Sequence, residues 1–263
     1  MSKKTALVTG ATAGIGAAFA RRLASEGYDL VLVARDAERL ASFGAELAEA
    51  HDVSATSLPA DLSTAEGCDA VATRIGAGID MLVNNAGFGL NISFLKSTVE
   101  DEERLLALNV HAVMRLTLAA LPGMFARRSG DIVNVSSVSA FAPMMPGSTY
   151  PATKAWVNSF SESIYLLGRP YGVRVCALCP GYTRTEFHKR AGINMSKTPD
   201  WMWLDADAVV RDGLRDLRKG KPVSVPNWKY KMASFGLRHL PRSVVQRAAR
   251  DTRGRIGRDE PTA

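Results

Sequence analysis

Read for polarity alone, the chain alternates between two rhythms. Short, nearly unbroken apolar runs rich in β-branched residues occur at Thr5–Thr9, Leu30–Val33, Val53–Leu58, Met81–Val83, Ile132–Val135 and Val173–Leu178. Near-continuous apolarity, rather than strict alternation, marks strands buried on both faces. Between them, Ile15–Glu26, Ala37–Ala50, Ala65–Ile75, Glu100–Arg127 and Thr153–Leu167 space their apolar residues three and four apart, as helices that cover one face do. This alternation predicts an α/β fold: a single doubly wound domain with a mostly parallel sheet and helices on both faces. Val223–Val225, between Pro222 and Pro226, supplies a seventh strand. The segment from Tyr182 to Trp203 follows neither rhythm and contains Pro199. So long an irregular stretch in a compact domain predicts a lid or substrate loop.

Open parallel sheets bind ligands beyond the carboxyl ends of their strands, where strand order reverses. The loops after Thr9, Val33, Leu58, Val83, Val135 and Leu178 are therefore where chemistry is expected. After the first strand, Gly10-Ala11-Thr12-Ala13-Gly14-Ile15-Gly16 runs into a helix. Glycines let a backbone come close to a phosphate, and the helix behind them offers free N–H groups and a positive dipole end. In this position the turn predicts dinucleotide binding. Tyr150 and Lys154 lie four apart, on one helix face. An ammonium beside a phenol favours phenolate, so a lowered tyrosine pKa is expected and with it acid–base work near neutral pH. Asn109 is a polar residue among Leu105, Leu106, Leu108 and Val110, out of pattern for an amphipathic helix.

Together, Thr9–Gly16, Asp61-Leu62, Asn84-Asn85-Ala86-Gly87, Asn109, Ser137, Tyr150-x3-Lys154 and Pro180-Gly181-x3-Thr185 resemble, in order and register, the motifs of the short-chain dehydrogenases/reductases. The resemblance spans roughly residues 4 to 226, and the look is nearest to acyl-chain and steroid-type ketoreductases. It implies a Rossmann-like fold and a metal-free oxidoreductase that transfers a hydride between a nicotinamide cofactor and a carbonyl/secondary-alcohol pair. It assigns Tyr150 as the proton donor-acceptor and Lys154 as its partner and holder of the nicotinamide ribose. Ser137 would hydrogen-bond the reacting carbonyl, and Asn109 would perturb its helix and hold a relay water. Gly10, Gly14, Ile15 and Gly16 would cradle the pyrophosphate side, and Thr12 would add a hydroxyl contact near a 2′-phosphate. Asp61 and Leu62 would meet adenine, Asn85, Ala86 and Gly87 the adenosine ribose, and Pro180, Gly181, Thr183 and Thr185 the nicotinamide. Ser136 and Ser139 read as strand-end hydroxyls satisfied by the backbone. Rival readings are a nucleotide-sensing or scaffold protein of the same fold, and dehydratase or epimerase chemistry on it. A sensor would need the glycine turn but not the intact Asn-Ser-Tyr-Lys set.

Cofactor choice turns on Val33-Ala34-Arg35, which has no acid for a ribose 2′-hydroxyl and an arginine placed for a 2′-phosphate. NADP(H) is the expected cofactor, with NAD(H) as the alternative. Phe141, Met144, Met145, Phe187, Ile193, Met195, Trp201, Met202 and Trp203 supply an adaptable apolar wall and predict a bulky lipophilic substrate. Pro151 is tolerated beside the tyrosine if Tyr150 opens its helix. Cys176-x2-Cys179 has no second pair or nearby histidine cluster to complete a metal site and reads as two buried small residues.

Composition adds three constraints. At 263 residues the chain suits one domain, here residues 1–226 with the 182–203 loop, followed by a tail over 227–263. Three cysteines are too few for a disulfide framework. The start lacks a signal-peptide pattern, and no sufficiently long apolar run is apparent: Ile132–Thr153 is interrupted by serines and prolines. The expectation is a soluble cytoplasmic protein. The net charge of +7 is localised, since Arg218–Arg258 holds 12 Lys/Arg against the single acid Asp251. Such a tail suits an anionic surface. Its interleaved basic and apolar residues leave three readings open: a bilayer interface, a second subunit, or the enzyme's own cleft. A homodimer or homotetramer through Glu100–Arg127 and Thr153–Leu167 is expected from the resemblance, and no nucleic-acid partner.

Overall fold

A computed structural model of the chain describes residues 3–90, 92, 94–142, 148–187, 191, 195–196, 198–241 and 243–245. Seven strands form one sheet in the order β3-β2-β1-β4-β5-β6-β7. They are β1 (Thr5–Thr9), β2 (Asp29–Ala34), β3 (Ala55–Pro59), β4 (Met81–Asn84), β5 (Gly130–Val135), β6 (Val173–Leu178) and β7 (Val223–Ser224). Every pairing is parallel, so the mostly parallel sheet expected from the sequence is wholly so. The reversal of order falls between β1 and β4, both of which flank the glycine turn.

Alternate residues of each strand feed two cores. Ala6 and Val8 of β1 join Phe19 and Leu23 of α1 (Gly14–Ser25), Leu40 and Leu47 of α2 (Ala37–His51), and Val209 and Leu214 of α7 (Ala206–Arg218). Leu7 points the other way, with Val71 and Ile75 of α3 (Ala65–Gly76) and Leu116 and Met124 of α5 (Ala112–Arg127). Asp36, Thr64 and Asp205 each accept a hydrogen bond from a first-turn N–H of the helix they cap, α2, α3 and α7 respectively.

The predicted Glu100–Arg127 helix is a composite: α4 (Val99–Leu106), a π-helical turn over Ala107–His111, and α5. Asn109 sits inside that turn. Contrary to the sequence expectation, residues 99–127 are long and apolar enough, by length and composition, to cross a membrane. The stretch is instead the core helix of the domain, with Leu105, Leu116 and Met124 fully buried. The helix predicted from Thr153 begins earlier, as α6 (Tyr150–Gly168), because Pro151 falls in the first turn where its missing N–H has no partner to lose.

A buried polar chain ties the platform under the site together. Asn84 on β4 donates to Thr117 of α5 at 3.2 Å and to Asn134 of β5 at 2.9 Å. Asn134 donates in turn to Ser161 of α6 at 3.0 Å. Removing one member leaves buried partners unpaired, so Asn134→Ala should lower the unfolding free energy in urea by about 2 kcal/mol. An unchanged midpoint would show that the chain of amides adds nothing to stability.

Candidate active site

The glycine turn is shaped by contacts that leave no room for side chains. A Cβ on Gly16 would lie 2.2 Å from the carbonyl oxygen of Gly10, and Gly14 has φ +54 with Thr185 packed against it. Across the switch point, Asn85 donates from Nδ2 to the carbonyls of Thr9 and Gly10 at 2.9 and 3.2 Å. The Thr9 hydroxyl accepts from the N–H groups of Asn85 and Ala86 at 2.9 and 3.0 Å. Thr9 was legible in the motif but not as this brace, and the amide of Asn85 holds the turn. Ala13, at the N-cap of α1, offers no side-chain cap, and the first turn of α1 carries no acid. Its leading N–H groups thus face a glycine-walled hollow, and the dipole end there suits a phosphate.

That hollow opens into a cavity of about 1190 Å³ that runs along the carboxyl ends of the strands. Every site residue named from the sequence lines it except Gly16 and Asn109. Asn109 is fully buried behind the wall. Its Nδ2 donates to the carbonyl of Phe88 at 2.9 Å and its Oδ1 accepts from the Phe88 N–H at 3.1 Å. Gly87 packs against it, a Cβ there coming to 3.0 Å from Oδ1. The helix perturbation implied by the resemblance is present, but the side chain of Asn109 positions the Gly87–Phe88 strand end rather than facing the cavity.

Toward the adenine end, Asp61 accepts from the backbone and hydroxyl of Ser63 at 2.9 and 2.7 Å. Burial pushes its carboxyl up, yet Ser63 and the nearby Arg35 outweigh this and hold it below the ordinary value. Arg35 lies 4.0 Å from Asp61, mostly exposed, at the cavity edge. Four residues on, Arg39 is engaged by Glu186 at 2.8 Å.

At the other end, Tyr150 opens α6, and the Ser137 hydroxyl lies close enough to favour the ionised phenol. The Ser137 hydroxyl also accepts from the Ser139 N–H at 3.1 Å. Lys154 is buried, donating to the carbonyl of Val135 at 2.9 Å, with its ammonium 5.7 Å from the Tyr150 ring centroid. Burial pushes the phenol up to about 12, with Ser137 opposing, and pulls the ammonium down to about 8. The lowered phenol expected from the spacing alone is therefore corrected. The ammonium is turned to a carbonyl, and desolvation outweighs its field at the hydroxyl. Of the neighbouring serines, Ser136 donates to the Lys154 carbonyl at 2.9 Å, as expected of a structural hydroxyl. Ser139 departs from expectation: its hydroxyl is buried without a hydrogen-bond partner, and the residue lines the cavity. Its unpaired hydroxyl is a product of packing that spacing could not reveal.

The apolar wall is only partly the one foreseen. Phe187, Met195, Trp201 and Met202 line the cavity, Phe187 with its ring 5.9 Å from that of Tyr150. Phe141 faces a second hollow under Arg238, and Trp203 packs on Tyr182 instead. Met144, Met145 and Ile193 lie outside the described residues. Thr183 donates to the carbonyl of Gly181 at 3.0 Å, and Thr185 accepts from the Phe187 N–H at 3.2 Å.

The sequence reading missed Tyr230. It lies on α8 (Trp228–His239), within the segment read as a tail. Its hydroxyl donates to the carbonyl of Met202 at 2.7 Å and accepts from the Tyr182 N–H at 3.1 Å. Its ring fills the space where a Cβ of Gly181 would stand, 2.1 Å away. Leu237 of the same helix reaches the cavity wall. Of the three readings left open for the tail, its first helix packs at the chain's own cleft.

The family profile described as short chain dehydrogenase matches residues 4–195. The chain is 30% identical over 247 residues to the very-long-chain 3-oxoacyl-CoA reductase of Bos taurus, covering 86% of this chain and 76% of that protein. Among solved structures, a short-chain dehydrogenase from Sphingobium yanoikuyae in complex with NADPH superposes with TM-score 0.82 at 37% identity, covering 91% of this chain and 96% of the other. The bulky-bulky ketone specific alcohol dehydrogenase of Comamonas testosteroni gives 0.78 at 31%, covering 92% and 100%.

The buried Lys154 generates a stability prediction for the cofactor-free protein. An unfolded lysine keeps its proton up to about pH 10.5, whereas in the fold it loses it near 8. The unfolded state thus holds more protons between these values, and the cost of the buried charge is full below pH 8 and gone above 10.5. That cost is about 3 kcal/mol. Lys154→Met should therefore unfold at a higher temperature than the wild type at pH 7, with the gap closing as pH rises through this window. A lower Tm at every pH would show that the ammonium stabilises the fold.

Proposed function

Because the chain belongs to the short-chain dehydrogenase family, which makes it an oxidoreductase, we propose that it reduces a bulky lipophilic ketone, or oxidises the matching secondary alcohol, with NADP(H). The observation that carries this reading is the convergence of Tyr150, Ser137 and the buried Lys154 on one wall of a large, largely apolar cavity. The residues present fit the cofactor. Gly10, Thr12, Gly14 and Ile15, with the uncapped start of α1, would hold the pyrophosphate. Asp61 and Leu62 would hold the adenine, Ala86 and Gly87 the adjoining ribose, and Lys154 the other ribose. Pro180, Gly181, Thr183 and Thr185 would meet the nicotinamide. Gly16 and Asn85 shape the turn from behind. When bound, the cofactor supplies the hydride that reduces the carbonyl carbon.

The rest of the chemistry belongs to the chain. With its phenol held near 12, Tyr150 is protonated at neutral pH and ready to act as an acid toward a carbonyl oxygen. The Ser137 hydroxyl, beside that phenol, would hold the same oxygen. Once the phenolic proton has moved, the oxygen left behind is negative, and the nearest buried cation is Lys154. Its ammonium is most stabilising at the moment charge develops, which is what raises a rate rather than mere binding. Asn109 positions the Gly87–Phe88 edge from behind, and the apolar roof of Phe187 and Met202 keeps water from the reacting atoms.

Arg35 supports the choice of NADP(H), because its guanidinium stands exposed at the adenine-ribose end while that of Arg39 is engaged by Glu186. The Sphingobium relative holds NADPH and the Comamonas relative is specific for bulky ketones, and both lend support. We also propose a homo-oligomer, supported by the exposed Leu106, Met114 and Leu118 and, on α6, the exposed Leu166 and Leu167. A cytoplasmic setting is supported by three buried, unpaired cysteines.

A panel of ketones from small and polar to bulky and lipophilic, followed by NADPH absorbance, tests the reading. Tyr150→Phe should lose turnover by at least a hundredfold, the scale of general acid catalysis, while cofactor binding stays near that of the wild type. Retention of a tenth of the activity, or a clear preference for small polar ketones, would overturn it. Separately, Arg35→Ala should reduce kcat/KM for NADPH by about tenfold or more and leave that for NADH nearly unchanged, as expected when a charge-assisted phosphate contact is lost. Equal loss with both cofactors would remove Arg35 from the 2′-phosphate site.

A further inference from the structure

We propose that the outer face of α8 docks on an anionic phospholipid surface and sets the cavity wall beside the bilayer. The docking does not depend on the reductase reading; only the use of the bilayer as a source of lipophilic substrate does.

The helix has two apolar faces, and the domain uses one. Tyr230, Ser234 and Leu237 recur at helical spacing on the inner side, where Tyr230 struts the Gly181–Tyr182 segment and Leu237 reaches the cavity. Trp228, Met232 and Phe235 recur at the same spacing on the outer side and are 69%, 66% and 62% exposed. Trp201, on the rim of the cavity, is 62% exposed and joins this ridge through Lys229, whose ammonium lies 5.2 Å from its ring centroid. Scattered exposed apolar residues are ordinary, but a contiguous aromatic ridge marks an interaction site.

The flanking charge says what covers it. Lys229, Lys231 and Arg238 are all exposed, and no acid occurs between Asn227 and Arg250. A second copy packed symmetrically would set these cations against themselves, because an isologous contact pairs a patch with its own image. The chain's own remaining segment, residues 246–263, is polar and basic, with Ile256 its one large aliphatic residue, and does not match an aromatic ridge. The ridge is convex, presented by a single helix, so it suits a soft partner rather than a preformed pocket. Aromatic side chains at the level of the headgroups, with lysines reaching anionic lipid, are the chemistry of an interfacial helix.

The test uses the full chain and co-sedimentation with vesicles of phosphatidylcholine alone or mixed with phosphatidylserine. Wild type should pellet with the mixed vesicles at low salt and be released at high salt. Replacing both lysines, Lys229→Gln with Lys231→Gln, should weaken partitioning by about fivefold for each charge. Trp228→Ser, Met232→Ser and Phe235→Ser together should abolish pelleting while turnover of a water-soluble ketone and the mass in solution stay unchanged. Failure of wild type to pellet with the mixed vesicles at low salt overturns the proposal. So does a serine variant that still pellets, or one that falls from a larger to a smaller assembly, which would assign the ridge to a second copy. Should the serine variant not fold, the lysine pair decides: unchanged pelleting of that variant overturns the proposal. Vesicle binding without activity on any ketone would retain the docking and reject the reductase reading.

Discussion

The site exists because Asn85 and Thr9 tie the ends of β4 and β1 together at a fixed distance. A parallel sheet that reverses its winding order must open a crevice where the two halves diverge. Left to itself, such a crevice exposes the last carbonyls of β1 and the N–H groups that follow β4. The side-chain amide of Asn85 takes the carbonyls of Thr9 and Gly10, and the Thr9 hydroxyl takes the N–H groups of Asn85 and Ala86. These bonds let the glycine turn keep its tight path and leave the start of α1 uncapped by any side chain. A phosphate-sized hollow is the direct product.

On this frame, the Tyr150 end of the cavity is built by desolvation. Lys154 is buried against the carbonyl of Val135, and Tyr150 stands in an apolar corner under Phe187. Both groups are held in their less charged direction, the phenol upward and the ammonium downward. For the resting fold this is a cost. For the proton transfer proposed above it would be an advantage, because the pair would stabilise charge only as the reaction created it. The platform beneath tolerates the burden since Asn84, Asn134 and Ser161 lock β4, β5 and α6 to one another.

The far wall depends on a residue some fifty positions distant in the chain. Tyr230 fills the notch over Gly181 and bonds both Tyr182 and Met202, so the segment that would face the nicotinamide is held by α8. The glycine at 181 is thus required by an aromatic ring as well as by any ligand. The helix that carries that ring also presents the exposed aromatic ridge, so the same element closes the site inwardly and faces outward with positive charge.

Much of this was legible in the chain itself. Apolar runs placed β1, β2, β4, β5 and β6, because a strand buried on both faces must be apolar at nearly every position, whereas the edge strand β3 has no buried residue. The glycine turn, Tyr150 and Lys154 were legible because their spacing within one loop or one helix turn is a local property, and Ser137 was legible through the motif resemblance. Pro151 even marked the start of α6. What depends on long-range packing was not legible. The ammonium of Lys154 turns to Val135 and leaves the phenol high because the local dielectric and the nearest carbonyl come from other elements. Asn109 moves behind the wall because a π-helical turn rotates it toward Phe88, Phe141 leaves the cavity for the underside of Arg238, and Ser139 is stranded without a partner. Periodicity along the chain placed the strands and helices, since those follow from each residue's own neighbours, and the motif resemblance pointed to Ser137, Tyr150 and Lys154. Only the tertiary structure decided which groups face the cavity, how they are charged and that Tyr230 completes it, because hydrogen bonding and desolvation depend on atoms that sequence distance does not bring together.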